Sequence, residues 1–110
     1  MVYVEQPVGV GFTQGKPDIS NEVELGQQYI GFWKNFMKAF QLEGRDVYIT
    51  GESYGGYYVP YVADAFINAS DPKYYNLKGV AINDPILSDD TVQEDGKLLD
   101  DIYQSAGNRN

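Results

Sequence analysis

Ser53 stands in the frame Gly51-Glu52-Ser53-Tyr54-Gly55, a G-x-S-x-G spacing that can make a serine a nucleophile. The apolar run Val47-Tyr48-Ile49-Thr50 precedes it directly, and an amphipathic stretch follows. Strand, sharp turn and helix are the order that a nucleophile elbow requires. Such a turn forces the serine into a strained backbone conformation and lifts its hydroxyl where a base and a carbonyl can reach it. Gly51 and Gly55 are expected to leave room where a Cβ would collide. The chemistry would be acyl transfer through a covalent intermediate. The N–H of Tyr54, the residue after the serine, would be one oxyanion-hole donor, a group worth about 2.7–4 kcal/mol of transition-state stabilisation. The bland alternative is a glycine-rich turn carrying an idle serine.

A serine needs a base, and a third group to orient that base. The chain has no histidine. By itself it is therefore expected to show no catalytic activity. It is also expected to be an internal piece of a longer protein, because Val2-Tyr3-Val4 reads as a strand with almost no lead-in.

The elements that must position Ser53 are legible as an α/β pattern. Strands are expected at about 2–5, 47–50 and 77–82, and helices at about 20–40 and 55–69. In the first helix, Tyr29, Ile30, Phe32, Trp33, Phe36, Met37 and Phe40 recur at helical spacing. This aromatic stripe reads as core packed against the sheet rather than as a ligand-stacking surface. Asn21 and Glu24 have capping-box spacing. Gly26 and Gly31 weaken that helix, with close approach to a neighbouring strand as their expected use. The second helix carries Tyr58, Val62, Ala65, Phe66 and Ala69 on one face, and Pro60 near its first turns is expected to bend it. The Gly-rich PVGVGFTQG loop is not a phosphate loop, because Gln14 stands where a third glycine is due.

Three segments carry a wider similarity: EQPVGVGF at 5–12, GRDVYITGESYGGYYVP at 44–60 and LKGVAINDP at 77–85. Together they resemble the serine carboxypeptidase family, over about residues 2–90. The resemblance implies a partial α/β-hydrolase fold of about three parallel strands with flanking helices. It implies residues 1–87 as part of the catalytic core and 88–110 as an acidic tail of uncertain structure. It also implies a Ser-Asp-His triad that releases C-terminal residues from peptides at acidic pH, with only the serine present here.

By the same resemblance, Glu52 would hydrogen-bond the substrate's terminal carboxylate within a pair of acids. A protonated carboxyl can donate where an ionised one can only accept. Such recognition weakens as pH rises, because two carboxylates repel. The Tyr54 side chain would line the pocket for the residue preceding the scissile bond. The family usually has aspartate at the place of Glu5, and Ala-Gly where Gly55-Gly56 stand. The alternatives are a carboxypeptidase-like acyltransferase or esterase, or a truncated non-catalytic product that binds a partner.

Composition narrows the partners. Sixteen acidic residues against eight basic ones leave a net charge of −8, which argues against nucleic acid and anionic membranes. No apolar stretch reaches the roughly 20 residues needed to span a bilayer, so no membrane insertion is expected. No signal peptide is expected in MVYVEQPVG at the start of this chain, while the resemblance implies a secreted or vacuolar, lysosome-like location. The chain has no cysteine. No cofactor and no metal are expected. The acid pairs Asp89-Asp90, Glu94-Asp95 and Asp100-Asp101 lack ligand spacing and read as solvated charge. Asn68-Ala69-Ser70 is a glycosylation sequon, so Asn68 is a candidate acceptor. Nothing in the sequence sets an oligomeric state.

Overall fold

The computed structural model describes residues 1–88. The acid pairs and nearly all of the expected tail lie outside the described residues. Four elements follow in order: helix α1 (Glu22–Ala39), strand β1 (Val47–Glu52), helix α2 (Gly55–Ala69) and strand β2 (Leu77–Asn83). The last three form a β-α-β unit with β1 and β2 parallel. The register pairs Val47 with Leu77 and Glu52 with Asn83, with one irregularity between Val47 and Tyr48.

α1 starts where its cap dictates. The Asn21 side chain accepts the N–H of Glu24 at 3.0 Å. Glu24 reaches back, one residue further than in the usual box, and accepts the Ser20 N–H at 2.7 Å and its hydroxyl at 3.0 Å. Two backbone donors at the helix entrance are thereby satisfied. At the other end Gln41 turns left-handed, at φ 55°. There the Leu42 N–H bonds the Met37 carbonyl and the Gln41 N–H bonds that of Lys38. That pair of bonds is a Schellman closure, with glutamine at the position where glycine is commonest.

The aromatic stripe of α1 is core, in a cluster shared with α2 and β1: Tyr29, Ile30 and Trp33 pack against buried Leu25, Val47, Val62 and Phe66. By backbone contact α1 runs beside α2, and α2 packs against both strands. Phe66 sits at the centre, with the Tyr29 and Trp33 rings 6.2 and 6.0 Å away. Phe32 and Phe40, expected on the buried face, are exposed. Gly26 serves a helix pair rather than a strand: a Cβ there would lie 2.9 Å from the Tyr61 carbonyl oxygen and 3.3 Å from Ala65 Cβ. Gly31 has nothing within 4 Å of such a Cβ. α2 contacts α1 and both strands, and so buries Val59 and Ala63 as well as Val62, Ala65 and Phe66. Two polar anchors tie α1 to the β2 entrance. Trp33 Nε1 donates to the Tyr74 carbonyl, and the Tyr75 hydroxyl donates to that of Ile30, both at 3.0 Å.

The expected strand at 2–5 does not form. A cleft of about 990 Å³ lies between β1 and the first residues of the chain, lined by Val2, Tyr3 and Val4 on one side and Tyr48, Ile49 and Thr50 on the other. Ladder bonds need a neighbouring strand within about 4.8 Å, and the cleft holds these segments apart. Among the described residues the sheet therefore has two strands, and β1 has a partner along one edge only.

After residue 6 the chain closes a tight loop. Glu5 folds back into it and accepts the Phe12 N–H at 2.7 Å. Gln28 of α1 accepts the Val8 N–H at 3.0 Å and so fastens the loop to the helix.

Candidate active site

Ser53 occupies the left-handed region at φ 54°, between the end of β1 and the start of α2. For a residue with a Cβ this conformation costs about 1–2 kcal/mol. The surroundings enforce it. The Ser53 N–H continues the sheet ladder, donating to the Asn83 carbonyl at 3.1 Å. Its own carbonyl turns away and accepts two donors, Gly56 N–H at 2.9 Å and Ile86 N–H at 2.8 Å. The turn is clamped from the α2 side and from the segment after β2. Ser53 itself is exposed.

The glycines divide their work unequally. A Cβ at Gly51 would lie 2.7 Å from Val59 Cγ2 and 3.1 Å from Gly55 Cα. Gly51 is thus required, as expected. Gly55 is not crowded by its own position, since a Cβ there meets only Val59 Cγ2 at 3.9 Å. The residue that cannot change is Gly56, where the resembling family also has glycine. A Cβ there would run into the Ile86 carbonyl oxygen, with the Ile86 carbonyl carbon 2.8 Å away. Only the chain crossing of residues 84–86 over the start of α2 creates that demand. No spacing within the motif signals it.

Tyr54 is the N-cap of α2, in a right-handed conformation. Its carbonyl accepts the N–H groups of Tyr57 and Tyr58. The hydrogen bonds that close the turn do not use the N–H of Tyr54. That donor sits at the positive end of α2, where negative charge is favoured.

The Tyr54 ring is 45 % exposed. It packs against Tyr57 at 5.1 Å and edge-on against Tyr58 at 4.9 Å. Its hydroxyl donates to Glu22 Oε1 at 3.4 Å. Desolvation, and then the Glu22 charge, hold the Tyr54 phenol above its ordinary range, so it stays protonated. Glu22 is a contact that sequence reasoning missed. An acid in the first turn of a helix has a sufficient local reason to be there, and nothing links it to a tyrosine 32 residues later.

Glu52 ends β1 and is exposed. The described residues bring no second carboxylate to it as a hydrogen-bond partner. Asn68 is exposed in the last turn of α2, with its Nδ2 donating to Asp64 Oδ2 at 2.8 Å. The Ser70 hydroxyl of the sequon donates to the Ile67 carbonyl at 3.1 Å, closing the helix. Among the described residues no helix is long and apolar enough to cross a membrane.

Known proteins identify the family. The family model described as serine carboxypeptidase matches residues 1–104. A carboxypeptidase Y homolog of Arthroderma benhamiae is 46 % identical over 87 residues, covering 79 % of this chain and 18 % of that protein. A serine-type carboxypeptidase F of Aspergillus niger is 39 % identical over 100 residues, covering 90 % of this chain and 19 % of that protein. A vacuolar serine-type carboxypeptidase of Saccharomyces cerevisiae is 35 % identical over 96 residues, covering 86 % and 19 %. The chain thus spans about one-fifth of the length of these relatives. With a strained serine between a parallel strand and a helix, and a family match along most of its length, this chain belongs to the serine carboxypeptidase family.

Proposed function

We propose that the protein carrying this segment is a serine-type carboxypeptidase that releases C-terminal residues from peptides. The observation that carries this reading is the left-handed, exposed Ser53 clamped between β1 and α2. Ser53 attacks the scissile carbonyl, and its oxygen forms the acyl bond as the C-terminal residue leaves. The N–H of Tyr54 receives the oxyanion. The base and its orienting acid come from outside these 110 residues, which contain no histidine. Residues 1–87 form part of the catalytic core, as part of a larger sheet with a further strand beside β1. Glu52 takes the substrate's terminal carboxylate, and the Tyr54 side chain lines the pocket for the preceding residue. The compartment is vacuolar or secretory, as the name of the yeast relative supports, and exposed Asn68 is a glycan acceptor there.

The test uses the full-length protein, a blocked dipeptide and a serine-directed phosphonate. Phosphonate labelling should map to Ser53. Ser53→Ala should lower kcat by about 10⁴-fold or more, the usual cost of losing a triad nucleophile. Turnover that survives this substitution would overturn the proposal. A second reading, ester cleavage or acyl transfer to an alcohol, draws on the exposure of Glu52 at the end of β1. Preference for an ester over a peptide with a free C-terminus would favour it.

A further inference from the structure

Glu22 and Tyr54 are brought together from separate elements, the first turn of α1 and the cap of α2. The Tyr54 hydroxyl occupies one acceptor site on the Glu22 carboxylate. An ionised carboxylate offers about four such sites, and Glu22 is only half-buried. The carboxylate thus keeps acceptor sites beyond that bond, next to the Tyr54 hydroxyl. The Tyr54 ring belongs to a set of three with Tyr57 and Tyr58, which are within 5.1 Å of it. Aromatic faces attract cations, and a neighbouring carboxylate adds to that attraction. The set begins one residue from the nucleophile. Tyrosine rings combined with a fixed negative charge suit an ammonium or guanidinium group better than an acidic one.

Resting on the carboxypeptidase reading of Ser53, we propose that Glu22 is a specificity-determining residue: its carboxylate, held against the Tyr54 hydroxyl, favours peptides with lysine or arginine immediately before the scissile bond. Glu22 touches the substrate side chain and takes no part in bond making. Its charge acts at a partly solvated site, so the discrimination is modest and weakens with salt.

The experiment compares full-length wild type with Glu22→Gln and Glu22→Lys. Blocked dipeptides carry lysine, norleucine or glutamate before the scissile bond, and kcat/KM is measured for each. Glu24→Gln is the control. It removes the same charge two residues away, from a carboxylate engaged by Ser20. The lysine-to-norleucine ratio should fall about two- to fivefold in Glu22→Gln. It should fall further in Glu22→Lys, where the glutamate peptide gains, and stay unchanged in Glu24→Gln. High salt should narrow the ratio in wild type and leave Glu22→Gln unaffected. An unchanged ratio in both Glu22 variants, or an equal loss on all three peptides, overturns the assignment. Phosphonate labelling of Ser53 is followed in parallel. Failure of labelling together with failure of all peptide turnover would instead overturn the carboxypeptidase reading itself.

Discussion

Gly55 and Gly56 are neighbours with opposite tolerance. Gly55→Ala adds a methyl group where the nearest atom is 3.9 Å away, and alanine suits a helix better than glycine. Its expected effect on the full-length protein is neutral to slightly stabilising. Gly56→Ala drives a methyl group into the Ile86 backbone. Backbone cannot rotate aside as a flexible side chain can, so the cost should reach about 3 kcal/mol. Thermal unfolding of the two variants checks this contrast. Ser53 is the converse case, a residue kept against its own conformational cost. Ser53→Gly removes the Cβ from a left-handed position and should stabilise the fold by about 1 kcal/mol while abolishing turnover. A Tm that drops with this substitution would contradict the strain assigned to Ser53. For Glu52, the proposed role sets a substrate-dependent effect. Glu52→Ala should raise KM for a peptide with a free C-terminus, while cleavage of an ester lacking a free carboxylate stays as it was. A KM identical to wild type on both substrates would remove Glu52 from the site.

At the scale of elements, α1 depends on its entrance. Asn21→Ala removes the acceptor of the Glu24 N–H and should cost about 1 kcal/mol. Glu24 contributes a pH dependence of its own. The Ser20 N–H, and then the Ser20 hydroxyl, hold its carboxyl below the usual glutamate range. A lowered value in the folded state means that the ionised form is the stabilised one. Its contribution is therefore fully present above about pH 5 and is lost as pH falls through the lowered value. Amide hydrogen exchange at residues 20–25 should show the helix entrance opening on acidification. Glu24→Gln should remove that dependence. The fit between the strand-turn-helix order and the sequence is close in this region, because caps and turns are made by residues a few positions apart.

For the whole molecule, the cleft beside β1 decides how this chain behaves alone. Its lining includes Trp33, Phe36, Val59 and Val62. Tyr48, on the sheet face opposite buried Val47, is 68 % exposed. An open strand edge beside apolar surface is a template for association, and a two-stranded sheet has little stability of its own. The 110-residue chain, expressed alone, should bind a hydrophobic dye, elute larger than a monomer and turn over no peptide. A monodisperse monomer with cooperative unfolding would show that the cleft is tolerated without a cover. The same chain within the full-length protein should lose the dye binding.

The sequence by itself determined the position of the elbow, the β-α-β order around it, the two helices and the cap at Asn21. Each is encoded by φ/ψ preference, by periodicity or by a hydrogen bond spanning four residues or fewer. Tertiary structure alone decided three further matters. Val2 to Glu5 have strand-like residues but pair with no strand among the described residues, and a strand is a property of two segments. Gly56 is irreplaceable because Ile86 crosses it thirty residues later. Glu22 meets Tyr54 only because α1 and α2 pack side by side. Contacts of that range depend on how the chain crosses itself, and local spacing carries no record of it.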